Sequence, residues 1–232
     1  SSYADNDSFT ISGNQLIVKD SADYENQSAY TVLLEVKDKD DATYEKEFTF
    51  NVNDINDDPT DIIIDSSSLS FNENDSISTT VATLSVSDQD SGENHTYSLV
   101  TDASYSDNDR FTISGNQLII KDSADYETQN SYTIRLAATD QDGVTFEKNL
   151  TIDVNDVNEG PTDIIIGSSS FDENIGDGST VAFLNVADQD LGDYHTSSLV
   201  SGSGDVDNER FTISGNELII KDSPDYESGR SS

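Results

Sequence analysis

Internal repetition constrains this chain more than any other feature. The stretch Phe9 to Glu25 (FTISGNQLIVKDSADYE) returns at 111–127 with one change in seventeen positions, and again at 211–227 with two changes from the second copy. The offsets are 102 and 100 residues. Thr60 to Ile64 returns at 162–166, and VATLSVSDQD (81–90) returns as VAFLNVADQD (181–190). Solenoid units run roughly 20–50 residues, whereas about 100 residues close a hydrophobic core of their own, so the period signals tandem domains. Residues 59–160 form one complete repeat. Residues 1–58 carry only the C-terminal half of the pattern, and 161–232 only its N-terminal part.

Short alternating runs broken by turn residues every few positions read as strands rather than helices. In the complete repeat they fall near 60–65, 81–87, 95–100, 111–114, 116–121, 132–139 and 145–154. Ser114-Gly115-Asn116 marks a tight turn, because glycine accepts positive φ. Tyr132, Ile134 and Leu136 alternate with polar residues, which predicts one buried face. Seven strands in such a length predict an all-β fold, a series of immunoglobulin-like Greek-key β-sandwiches. By the same count repeat one holds the last four strands and repeat three the first five. Ser66 to Ser68 and Ser168 to Ser170 read as loops.

Eleven Lys and Arg against 47 Asp and Glu leave a formal charge of −36. Such a surface repels nucleic acid and anionic membranes. It also repels itself, which favours either disorder or the recruitment of cations. The periodic apolar residues argue against disorder. With no Cys there are no disulfides and no thiolate metal sites. No apolar run reaches the roughly 18 residues of a membrane span. The start (SSYAD) has none of the character of a secretory leader, so for a secreted protein it predicts an internal piece of a longer chain.

The acidic residues cluster at strand ends and junctions. Glu73 lies in FNEN, Asp88 and Asp90 in DQD, Asp125 and Glu127 in DYE, and Asp140 in AATD, while the junctions read DINDDP (54–59) and DVNEGP (156–161). In an extended chain residues i and i+2 face one side, so Asp-x-Asp aims two carboxylates at one point. Calcium takes about six to eight such oxygens. A solvated acidic surface is the plain alternative for any one of these residues, but it leaves the recurring order unexplained.

In this ordered set the chain resembles the cadherin family, in its bacterial cadherin-like branch. Glu73 matches the family's early Glu, Asp125-Tyr126-Glu127 its Asp-x-Glu, Asp88-Gln89-Asp90 its Asp-x-Asp and Asp140 its late Asp. The two junctions match its Asp-x-Asn-Asp linker. The resemblance implies calcium ions clamped at each linker. The first would use Asp23, Glu25, Asp54, Asn56, Asp57, Asp88, Asp90 and Asp140. The second would use Glu73, Asp125, Glu127, Asp156, Asn158, Glu159, Asp188 and Asp190. Glu173, Asp225 and Glu227 would serve a further repeat. Linkers one residue short of the vertebrate pattern, and Gly160 in place of its second Asn, imply fewer ions than the family's full set. The strand exchange that uses an N-terminal Trp does not transfer, since the chain has no Trp.

The implied role is a calcium-stiffened adhesion or spacer module, extracellular or on a cell surface, with no enzyme chemistry. No Ser, His and Asp grouping is motif-like. The alternative is a polysaccharide-binding module, with Tyr24, Tyr126 and Tyr226 forming a sugar platform rather than capping the core. His95 and His195 read as ordinary strand or surface residues. Open sheet edges on the two partial repeats predict self-association, homophilic or head to tail.

Overall fold

The computed structural model describes residues 4–66 and 69–227. They divide into two compact units, one of residues 1–124 and 129–155, the other of 125–128 and 156–232. The described residues contain sixteen strands and three 3₁₀ turns, with no α-helix and so none able to cross a membrane.

The first unit holds twelve strands: β1 (Phe9–Ser12), β2 (Gln15–Val18), β3 (Ala29–Lys37), β4 (Thr43–Asn51), β5 (Asp61–Asp65), β6 (Ser70–Asn72), β7 (Thr80–Ser87), β8 (Thr96–Leu99), β9 (Phe111–Ser114), β10 (Gln117–Ile120), β11 (Ser131–Thr139) and β12 (Thr145–Asn155). In the complete repeat they form two four-stranded sheets, ordered β5-β7-β10-β9 and β6-β12-β11-β8. All pairings are antiparallel except that of β6 with β12. The period-two side-chain pattern explains the sandwich. Along β11, Tyr132, Ile134, Leu136 and Ala138 turn inward, and along β12 so do Leu150, Ile152 and Val154. They close against Ile62, Leu84, Leu118 and Ile120 of the other sheet, every one nearly inaccessible.

All seven expected strands are present, together with one that the pattern did not reveal. Ser70–Asn72 is too short to show alternation and exists because it pairs in parallel with Asp153–Asn155. Phe71 then completes an aromatic cluster with Phe111 (6.4 Å, edge-on) and Tyr132 (6.2 Å, stacked). Of the serine run, Ser67 and Ser68 lie outside the described residues.

Gly115, at φ +61°, opens the two-residue turn between β9 and β10. The Asn116 that follows donates its side-chain amide to the Leu84 carbonyl and accepts the Leu84 N–H, pinning this hairpin to β7.

A second clamp lies in the 3₁₀ turn Ser106–Arg110. Buried Asn108 accepts the N–H of Arg135 (3.0 Å) and donates to the carbonyls of Val100 (2.7 Å) and Arg135 (3.3 Å). Asp107 accepts the Thr133 N–H at 2.8 Å. Asn6 and Asp5 repeat the arrangement on Leu33 and Thr31 of β3. Asn108→Ala leaves the part-buried Arg135 N–H and Val100 carbonyl without this partner and is expected to cost about 1–3 kcal/mol, read as a lower urea midpoint with unchanged slope.

The second unit contains β13 (Asp163–Ile166), β14 (Thr180–Ala187), β15 (Phe211–Ser214) and β16 (Glu217–Ile220), paired β13-β14-β16-β15. Four strands are described where five were expected. The expected counterpart of β8, around Thr196 to Val200, is not a strand. In the complete repeat β8 pairs only with β11, and no such partner strand is present among the described residues of the second unit. Ile164 is 61% exposed there, although its equivalent Ile62 is 0% exposed.

Candidate metal centre

All eight residues expected at the first linker belong to the first unit. Asp23 and Glu25 sit at the turn after β2; Asp54, Asn56 and Asp57 lie on the connection from β4 to β5; Asp88 and Asp90 follow β7; Asp140 ends β11. Hydrogen bonds tie these segments together. Asp90 Oδ2 accepts the Asp57 N–H at 2.7 Å, and the Asn56 side chain donates to Asp140 Oδ2 at 3.0 Å. One carboxylate oxygen each from Glu25, Asp57 and Asp90 lies within 4.8 Å of the others.

The convergence of Asp88 and Asp90 differs from the extended geometry expected. The chain bends there, and Asp88 Oδ1 accepts the N–H of Asp90 at 3.1 Å. This is an Asx turn, the local alternative that a short carboxylate offers to a strand ladder. The DYE segments likewise lie in turns, where Asp23 accepts the Asn26 N–H and Asp125 that of Thr128.

The electrostatics of this cluster are unfavourable without a cation. Burial raises the Glu25 carboxyl above its ordinary range, and Asp54, Asp90 and Asp57 add to the rise. Burial likewise raises Asp57, with Asp90, Asp23, Asp88 and Asp54 adding to it. Asp140 moves down: burial opposes its ionisation, but hydrogen bonds from Asn56 and the N–H groups of Val144, Gly143 and Asp142 outweigh that. Asn56 Oδ1, Asp90 Oδ1 and Glu93 Oε2 are buried acceptors with no hydrogen-bond partner, an arrangement that costs free energy unless something fills it. Glu25, Asp54, Asn56, Asp90 and Glu93 border one open cleft of about 310 Å³. Hard oxygens, an excess of negative charge and orphaned acceptors fit calcium rather than a softer metal.

The sign of the Glu25 effect is testable. A carboxyl raised on folding stabilises the fold while protonated and loses that contribution as pH rises through its folded value. In metal-free protein, Glu25→Gln should therefore match the parent in acid, below about pH 4, and melt higher at neutral pH. Thermal melts across that range check it.

In the second unit the junction repeats the pattern. Asp190 Oδ2 accepts the Glu159 N–H at 2.7 Å, Asp188 Oδ1 accepts the Asp190 N–H at 3.1 Å, and the Asn158 side chain donates to the Glu159 carbonyl. Oxygens of Glu127, Glu159 and Asp190 lie within 4.8 Å of one another, and Asp190 Oδ1 is again buried without a partner. Asp125 shares the turn with Glu127, and Asp156 begins the junction. Glu73 belongs to the first unit, where it is 2% exposed and its backbone N–H donates to the Asn155 carbonyl. Glu173 accepts the Tyr226 N–H, and Asp225 that of Glu227.

Two features escaped the sequence reading. Glu93 joins the first cluster, and His95 pairs with Asp88 at 2.8 Å instead of being an ordinary strand residue. His195 does the same with Asp188 at 2.7 Å. The signal lay in the shared spacing of DQDSGENH (88–95) and DQDLGDYH (188–195). Tyr24 and Tyr226 differ from the core-capping expectation, being 38% and 60% exposed, whereas Tyr126 is half-buried.

Residues 67–155 match the family model described as Cadherin domain. The chain is 31% identical over 193 residues to protocadherin gamma-A4 of Pan troglodytes, covering 79% of this chain and 20% of that protein. It is 29% identical over 187 residues to human protocadherin alpha-2, covering 76% and 20%. The chain thus spans about a fifth of the length of these curated relatives. Among solved structures, extracellular cadherin domains 3–6 of protocadherin gamma B2 superpose with a TM-score of 0.67 at 20% identity, covering 97% of this chain and 56% of that one. A protocadherin gammaB7 structure of domains 3–6, described as a cis-dimer, gives 0.67 at 23% identity, with 97% and 57% covered. Two facing four-stranded sheets with acidic turns at their ends agree with that match, and the chain contains a cadherin-family domain.

Proposed function

We propose that the chain is a calcium-stiffened adhesion or spacer segment of a larger extracellular or cell-surface protein. The observation that carries this reading is the pair of buried, unpartnered oxygens on Asn56 and Asp90 within a cluster of like charges. A divalent cation held by Asp23, Glu25, Asp54, Asn56, Asp57, Asp88, Asp90 and Asp140 would satisfy those acceptors and cancel the repulsion. Those ligands come from repeat one, the linker and repeat two, so binding fixes the angle at that joint. Asp125, Glu127, Asp156, Asn158, Glu159, Asp188 and Asp190 are proposed as the corresponding ligands of the second unit. The extracellular setting is supported by the relatives, whose solved segments are described as extracellular domains.

Calorimetric titration with calcium, paired with X-ray scattering in calcium and in EDTA, tests the proposal. The expected result is saturable binding and a narrower distribution of shapes in calcium. Identical scattering profiles and no heat of binding would remove the idea.

Exposed Tyr24 and Tyr226 favour a second reading, as a polysaccharide-binding module. A glycan array read with and without calcium separates the two. Self-association is supported by the exposed apolar edge of Ile164, Ile165 and Ile166, and light scattering at rising concentration measures it.

A further inference from the structure

We propose that Asp88, Glu93 and His95 form a mixed imidazole–carboxylate site for zinc, and that Asp188, Asp193 and His195 repeat it in the second unit. The inference shares Asp88 and Asp188 with the calcium reading, and it takes the buried Glu93 oxygen beside that cluster as a zinc ligand.

One ligand atom from each of Asp88, Glu93 and His95 lies within 4.8 Å of the other two, and the same holds for Asp188, Asp193 and His195. The side chains of Asp88 and His95 are only 4% and 10% exposed. Glu93 supplies the observation that points to a ligand. Its Oε2 is buried with no hydrogen-bond partner. A cation seated against Glu93, Asp88 and His95 gives that oxygen a partner.

Donor chemistry selects the ion. Calcium takes oxygen ligands, whereas imidazole nitrogen suits zinc and its neighbours, and a carboxylate completes such sets. Zinc binds nitrogen and carboxylate oxygen at about 2.0–2.2 Å, so two tetrahedral ligands stand roughly 3.3 Å apart. His95 Nε2 and Asp88 Oδ2 are 2.8 Å apart and His195 Nε2 and Asp188 Oδ2 are 2.7 Å apart. Opening each pair by about half an ångström admits the metal.

The backbone supports this placement. Gly92 and Gly192 adopt φ of +90° and +105°, which turns the chain back so that the histidine returns to the first Asp of its own DQD. The chain has two histidines, and both occupy this position. A histidine used only to hold Asp88 by a hydrogen bond would account for the pairing. It would leave the buried Glu93 oxygen empty.

The test uses the whole chain, with imidazole nitrogen resonances followed by NMR during zinc titration, in calcium-free and in calcium-saturated buffer. The expected result is a stoichiometric shift of both Nε2 signals. In the His95→Gln variant zinc affinity of the first site should fall about tenfold or more, while His195 still responds. Cobalt should give the visible spectrum of a four-coordinate ion carrying a nitrogen ligand. Imidazole signals unmoved by stoichiometric zinc, or equal zinc affinity in His95→Gln, overturn the proposal, and the wild-type NMR measurement decides even if the variant folds poorly. Calcium titration of the same samples reports separately on the carboxylate cluster. Calcium binding with silent imidazoles sinks only the zinc site, and zinc binding without calcium binding sinks only the calcium reading.

Discussion

Calcium at about 10 mM is expected to raise the melting temperature of the metal-free protein by about 3–11 °C for each ion held, and Asp90→Asn is expected to remove the increment of the first-linker ion. The magnitude follows from mass action. With dissociation constants of about 10⁻⁴–10⁻³ M, each ion stabilises the bound form by about 1.4–2.7 kcal/mol. For a chain of this size each kcal/mol moves the melting point by about 2–4 °C. Asp90 is the residue of choice because its two oxygens have separate duties: Oδ2 accepts the Asp57 N–H, and Oδ1 is buried with no partner. Asparagine keeps the first function and removes the charge. Because Asp90 adds to the repulsion on Glu25, Asp57 and Glu93, the same change should raise the melting point in EDTA. The two proteins therefore exchange rank between EDTA and calcium. Melting curves that keep the same order in both buffers would contradict a metal role for this cluster.

That exchange of rank is a property of the joint rather than of either sheet, and the joint was only partly legible in the sequence. Spacing and order marked Asp23, Glu25, Asp54, Asn56, Asp57, Asp88, Asp90 and Asp140 as a set, since each lies at a strand end and recurs in register. Their geometry was not legible. Two-residue spacing suggested an extended Asp-x-Asp, yet Asp88 and Asp90 converge through an Asx turn, which depends on a local hydrogen bond and not on periodicity. Glu93 and His95 were missed because neither belongs to the recurring acidic motif; only the fold-back at Gly92 brings them to it.

Strands of four or more residues were legible through alternation and turn residues, and the three-residue β6 was not. The β9–β10 and β11–β12 hairpins announce themselves through alternation and turn residues. β6 has no local signature, because its single ladder joins Ser70–Asn72 to residues more than eighty positions away. Thr196 to Val200 shows the converse. Its sequence follows the β8 pattern, but no strand among the described residues lies beside it and it forms no ladder. Strand propensity expresses fit to a neighbour more than an intrinsic preference of the chain.

Ile134→Ala should cost about 2–5 kcal/mol, whereas Ile164→Ala should change stability by less than about 0.5 kcal/mol. Ile134 is 0% exposed at the centre of β11, flanked in register by Leu150 of β12 and facing the sheet that carries Ile62 and Leu118. Removing its side chain leaves a cavity that rigid strands on both sides cannot close, so the loss of transfer energy and of packing add. Ile164 is an equally apolar residue in a repeated motif, and its counterpart Ile62 is wholly buried, but in the second unit it is 61% exposed and has little burial to lose. Urea midpoints of the two variants, at equal slope, measure the difference. Comparable losses at both positions would mean that Ile164 is covered in solution, and light scattering on the same samples would then show association through that face. The contrast isolates burial: an isoleucine stabilises the fold where an opposing sheet covers it and contributes little where it is exposed.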